Sequence, residues 1–162
     1  MKKILIALDY NPSAEKVAEA GYVIAKAMNA EIIIVHVITE AVYYNVEKLP
    51  FMGFYHGYNT GIPAVARDIK KEAENFLAAS VNHLGDNNIK TMVLEGETAN
   101  AILKYSEDWN ADMIVMGSHR HHGLDRLLVT HVSAYVLTQS KIPLLTIPTD
   151  DKQAVNNTLK YS

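Results

Sequence analysis

Cysteine is absent from the 162 residues, which excludes disulfides, thiolate catalysis and cysteine-based zinc sites together and suits a reducing cytoplasm. Long hydrophobic runs are also missing, since no uncharged apolar stretch approaches the ~18–20 residues that cross a bilayer. The opening Met1-Lys2-Lys3 leads into an apolar run, Ile4 to Leu8, that stops at Asp9, short of the ~7–15 residues of an export signal. A soluble, cytoplasmic protein is expected. Net charge is small, −3, so there is no basic field to attract nucleic acid. What is present is ordinary: 49% hydrophobic and 20% charged residues, enough apolar material for one domain, placed at 1–149 and followed by a polar tail, 150–162.

The runs Ile4-Leu5-Ile6-Ala7-Leu8 and Glu31 to Val37 are nearly continuous in apolar residues, the pattern of strands covered on both faces of a parallel sheet. Between them Asn11 and Pro12 read as the cap and first position of a helix carrying Val17, Ala20, Gly21, Ile24 and Met28. A second helical period runs from Ile62 to Leu84 and stops at Gly85. A strand follows at Ile89 to Leu94, then a helix with Thr98 as its expected cap, the strand Met113 to Met116, a helix through Val132, Tyr135 and Val136, and the strand Leu144 to Ile147 between Pro143 and Pro148. Five strands alternating with four helices predict an α/β fold, an open doubly wound parallel sheet with helices on both faces. The segment from Val42 to Pro63, rich in Tyr, Phe and Gly, breaks the rhythm as a long excursion, functional or merely mobile.

Open parallel sheets bind small ligands beyond the carboxyl ends of the strands, where the strand order reverses. The positions following each strand are therefore candidates: Asp9-Tyr10-Asn11, Val37-Ile38-Thr39, Glu95-Gly96 and Gly117-Ser118-His119. Gly117 suits a tight strand exit, and the start of the helix near Thr130-His131-Val132-Ser133 offers free N–H groups to a phosphate.

At these residues the sequence resembles the universal stress protein family, from Met1 to Thr149: the strand ending in Asp9, His36-Val37, the Gly96 turn, Ala111 to His119, and Lys141 to Leu145. The resemblance implies a Rossmann-like, adenine nucleotide alpha hydrolase-like sheet in the order 3-2-1-4-5 and a homodimer formed through the edge strand Leu144 to Ile147. It also implies a nucleotide pocket. Asp9 corresponds to the acid near adenine and ribose, Val37 to a backbone contact with the base, Met116 and Gly117 to the pocket rim, and Val132 and Ser133 to positions by the phosphates. The family's loop motif, Gly, two residues, Gly, nine residues, then Gly-Ser or Gly-Thr, survives only at Gly117; Arg120, Thr130 and His131 stand at the other positions. A Cβ at Arg120 or Thr130 crowds a backbone wrapped around phosphate, whereas Arg120 and His131 supply donors to it. The resemblance thus implies a stress-response binding module with weakened or absent binding of ATP or another adenine nucleotide, Mg²⁺ entering only with the nucleotide. The alternative is a competent ATP- or AMP-binding switch.

His119, His121 and His122 share one loop, and imidazoles brought together suit Zn²⁺, Ni²⁺ or Cu²⁺. Their spacing matches no ligand motif and Arg120 puts a fixed charge among them, so they read as solvated histidines and no metal is expected. His36 reads as a strand-end polar residue and His83 as a helix-surface residue. No nucleophile, base and orienting acid fall into a hydrolytic pattern, so at most feeble ATP hydrolysis is expected.

Overall fold

The computed structural model describes residues 2–39, 62–119 and 132–149. Strands β1 (Lys3–Ala7), β2 (Glu31–Ile38), β3 (Lys90–Glu95), β4 (Met113–His119) and β5 (Leu144–Thr149) form one sheet in the order β3-β2-β1-β4-β5. Every pair is parallel, with Leu5 beside Ile33 and Ile114, and Met116 beside Thr146. The expected fold and strand order are therefore present. The segment 42–63 falls almost wholly outside the described residues.

Continuous apolar strands arise because successive side chains point to opposite faces and both faces are covered. Ile4, Ile6, Ile34 and Val115 point to one face, under helices α1 (Ala14–Ala27) and α2 (Ile62–Leu84), where they meet Val17, Ala18, Ala25 and Leu77. Leu5, Ile33, Val35, Ile114 and Met116 point to the other, under α3 (Thr98–Asp108) and α4 (Val132–Gln139), where they meet Ala99, Ile102 and Val136. Ile4, Leu5 and Ile6 are completely buried, each removing apolar surface worth about 1.5–3 kcal/mol.

Helix ends are closed by residues in the left-handed region. Asn29 (φ 50°) follows α1 and Asn110 (φ 57°) follows α3. In each case the next residue reaches back five positions, Ala30 N–H to the Ala25 carbonyl and Ala111 N–H to the Ser106 carbonyl, both at 2.9 Å. These are paired closures of the Schellman type, with short-side-chain Asn in the place glycine usually holds. Gly85 (φ 67°) ends α2 as expected.

Three local expectations are corrected. Ser13, and not Asn11, holds the cap position of α1, with no side-chain cap bond, and Pro12 lies in the preceding turn, where the Asn11 carbonyl accepts from Ala14 N–H at 2.9 Å. Glu97, and not Thr98, caps α3: its carboxylate accepts from the N–H groups of Ala99 at 3.2 Å and Asn100 at 2.9 Å, a longer side chain folding back where the extended backbone allows it. Finally, β5 runs through Pro148 to Thr149. The Pro143 carbonyl accepts from Ile114 N–H, so alternation turns positions 144, 146 and 148 away from β4, and a proline at 148 removes no bond within the sheet.

Gly21 lets α1 lie close on β1, because a Cβ there would stand 2.7 Å from Ile6 Cδ1 and 3.0 Å from Ile6 Cγ1. Gly21→Val should destabilise the fold by about 2–3 kcal/mol through overpacking. Ile6→Val deletes the Cδ1 methyl that collides, so the double variant should lose less than the sum of the single losses. Urea unfolding of the four proteins checks this, and strict additivity would place the strain elsewhere.

Candidate functional site

Above Ala7 the sheet forks. The chain leaving β1 stays with β2, as Leu8 N–H donates to the Val35 carbonyl at 2.9 Å, while β4 continues with β5 up to His119 opposite Thr149. This is the reversal point of the strand order, and a cleft of about 280 Å³ opens there, near the lower end of ordinary small-ligand sites. Its walls come from the ends of β1, β2 and β4, the first turn of α1, and the amino-terminal turns of α3 and α4.

Polar groups are sparse within it. Exposed Asp9 receives Asn11 N–H on Oδ1 at 3.1 Å, a local turn that holds the carboxylate at the mouth. Thr149, buried, donates from Oγ1 to the Ser118 carbonyl at 3.0 Å. Gly117 is not the strand exit expected of it: it lies inside β4 beside Ile147. A Cβ there would stand 3.2 Å from Val17 Cγ2 and 3.4 Å from Thr149 Cγ2, so close packing, and not a special backbone angle, favours glycine.

His36, read as a strand-end polar residue, lies near the carboxyl end of β2 with its side chain buried. It is 6% exposed, and its Nδ1 lies 2.8 Å from the Leu8 carbonyl. A carbonyl only accepts, so Nδ1 carries the proton in the neutral ring. Tyr10 packs on the imidazole with ring centroids 4.2 Å apart, and Phe76 of α2 closes edge-on to both, at 4.9 Å from Tyr10 and 5.5 Å from His36. Burial pulls the His36 pKa below the ordinary histidine value, against the Leu8 bond and the nearby Asp9 charge. Burial also pushes the Tyr10 phenol up, with Glu72 adding to it.

Of the candidates from sequence, Asp9, Val37, Met116, Gly117, Val132 and Ser133 border this one cleft. Arg120, Thr130, His131, His121 and His122 lie outside the described residues, as does the side chain of His119. Among the described residues no group of three or more His, Asp or Glu side chains is gathered to hold a metal. His83 is on the surface of α2, its Nε2 2.8 Å from Glu19 Oε1. Sequence reasoning passed over His36, Thr98 and Thr149 as lining residues. Their position at the carboxyl ends of β2 and β5 and at the first turn of α3 is the signal that singles them out.

A doubly wound parallel sheet with an apolar cleft at its reversal point defines the class, a Rossmann-like α/β fold. Residues 1–148 match the model of the universal stress protein family, and the chain belongs to that family. Universal stress protein A homolog 1 of Coxiella burnetii is 30% identical over 136 residues, 82% of this chain and 87% of that one. The solved structure of protein MJ0577, from Methanocaldococcus jannaschii, superposes with a TM-score of 0.65 at 26% identity, covering 93% of this chain and 98% of its own. A universal stress protein crystallised in complex with cAMP has the same fold, with a TM-score of 0.57 at 22% identity over 90% of this chain and 96% of its own.

A buried histidine with a depressed pKa makes stability depend on pH. The unfolded chain takes up its proton near the ordinary value of about 6.5, before the folded one does, so His36 costs stability as the pH falls through that point. His83, raised by its bond to Glu19, acts in the opposite sense: its contribution is present at low pH and fades as the pH rises through its raised pKa. The loss of stability between about pH 7.5 and 5.5 should therefore be smaller in His36→Gln than in the parent. Urea midpoints at both pH values measure it, and parallel profiles would show that His36 does not titrate differently in the two states.

Proposed function

We propose that the protein is a cytoplasmic stress-response binding module, homodimeric and not a catalyst, whose cleft takes an adenine nucleotide weakly. The convergence of Asp9, Val37, Met116, Gly117, Val132 and Ser133 on one apolar cleft at the reversal point carries this reading. Apolar walls suit a base, the Asp9 carboxylate suits ribose hydroxyls, and the amino-terminal turn of α4 suits phosphate oxygens. The cAMP complex of a protein with the same fold supports the ligand class. Weak binding follows from Arg120, Thr130 and His131 in the places of small loop residues, and any Mg²⁺ arrives with the phosphates. Calorimetry with ATP and Mg²⁺ tests the reading. A Kd above roughly 10 µM is expected, and a much tighter one favours a competent nucleotide switch. Asp9→Ala should weaken binding by about five- to thirty-fold, the loss of one charge-assisted hydrogen bond, with stability changed by about 0.5 kcal/mol or less because the carboxylate is exposed. Unchanged affinity would remove Asp9 from the site.

The homodimer is supported by β5, an edge strand whose Leu144 and Thr146 N–H groups point away from β4, as the alternation fixed by Pro143 requires. Pro148, also on the outer side, has no N–H to offer, so the paired length is limited. Beside this edge, α4 leaves Tyr135 44% and Leu137 63% exposed, apolar surface that a second copy would cover. Light scattering at micromolar concentration should give twice the monomer mass, falling to the monomer in Thr146→Pro with the far-UV circular dichroism unchanged. A monomeric parent overturns the dimer.

A further inference from the structure

Among the described residues that line the cleft, only Asp9 and His36 ionise; the rest are apolar or carry hydroxyls. His36 is the one whose charge changes near neutral pH. Its two nitrogens are in different situations. Nδ1 is committed to the Leu8 carbonyl. For Nε2 there is no hydrogen-bond partner among the described residues, and no fully buried, unpaired side-chain nitrogen or oxygen is found among them. Nε2 is therefore neither engaged by the described residues nor fully buried, in a ring that borders the cleft.

We propose that His36 is a proton-operated selector of ligand charge in the cleft: neutral, it presents an acceptor at Nε2 and no charge, and protonated, a donor and a positive charge, so anionic ligands are held more tightly as the pH falls while uncharged ones are not. This rests on the reading of the cleft as an adenine-nucleotide site. The geometry makes the change local. Leu8 accepts from Nδ1 in both states, so protonation leaves the anchor intact, and Tyr10 and Phe76 hold the ring plane. The groups facing the imidazole are few. Asp9, at the end of β1, is the one carboxylate whose field acts on it. Tyr10 brings a phenol, with Glu72 of α2 behind it, and Phe76 of α2 and the paired Val93 of β3 are apolar. Burial disfavours the cation in the empty cleft, and a bound anion offsets that penalty. Reciprocity then requires that the proton raise anion affinity by the same factor as the anion raises proton affinity.

The experiment compares cAMP with adenosine by calorimetry at about pH 7.5 and 5.5. The cAMP phosphodiester keeps one negative charge throughout, and adenosine offers the same base and ribose uncharged, so any difference belongs to the protein. Affinity for cAMP should rise about three-fold or more on acidification while that for adenosine stays level, and His36→Gln, whose amide can still donate to Leu8, should make both level. In the unaltered protein the His36 ring resonances should titrate about one unit higher with cAMP bound, which decides the matter if His36→Gln does not fold. Level cAMP binding, a slope retained in His36→Gln, or an unmoved titration overturns the selector while leaving the nucleotide reading in place. Absence of any binding at either pH removes both.

Discussion

Everything in this fold depends on β1 being buried on both faces and paired on both edges. Ile4, Leu5 and Ile6 have no exposed surface, and the strand is held between β2 and β4 in register. A central strand can follow only one neighbour once the ladder ends. The chain beyond Ala7 keeps its bonds to β2 through Leu8, so it separates from β4, which continues instead with β5. The cleft is that separation. Its ionisable lining residues, Asp9 and His36, stand where the last bonds between β1 and β2 are made.

Stability and chemistry divide between the two ends of the same sheet. At the amino ends the chain is tied down: Lys3 N–H donates to Asp112 Oδ2 and Asp112 N–H to the Lys3 carbonyl, each at 2.8 Å. There the Asn29 and Asn110 closures turn α1 and α3 back toward β2 and β4. At the carboxyl ends the amino-terminal turns of α1, α3 and α4 converge on the cleft instead, with the Glu97 carboxylate closing the first N–H groups of α3. The left-handed closures of α1 and α3 thus lie at the end of the sheet away from the cleft.

Much of this was legible in the residues. Runs such as Ile32-Ile33-Ile34-Val35 cannot be half-solvated, so covering helices and a parallel sheet followed directly, and the reversal point followed from the sheet. Caps were less legible. Asn11 and Thr98 are good cap types, yet the turn held by Asp9 shifts the start of α1, and Glu97 reaches the free N–H groups of α3 before Thr98 can. Such contests between neighbouring side chains are decided by backbone angles that single residues do not reveal. The burial of His36 was hidden for a different reason. Its alternation along β2 gives no hint that the Leu8 carbonyl, 28 positions away, waits to accept from it.

Gly117 shows why a surviving motif residue is weak evidence for a ligand. The close approach of Val17 and Thr149 gives glycine a packing reason to stand there whatever enters the cleft, so its presence fits a strong, a weak or an absent nucleotide site equally. Asp9 and His36 are different, because packing asks for neither: an exposed carboxylate contributes little to the core, and a buried imidazole costs desolvation that a Leu or Val at the same position would not. At His36 that cost falls on an ionisable ring that borders the cleft, its Nδ1 held by the Leu8 carbonyl. The desolvation cost borne at His36, unlike the close packing at Gly117, is therefore not accounted for by the stability of the core.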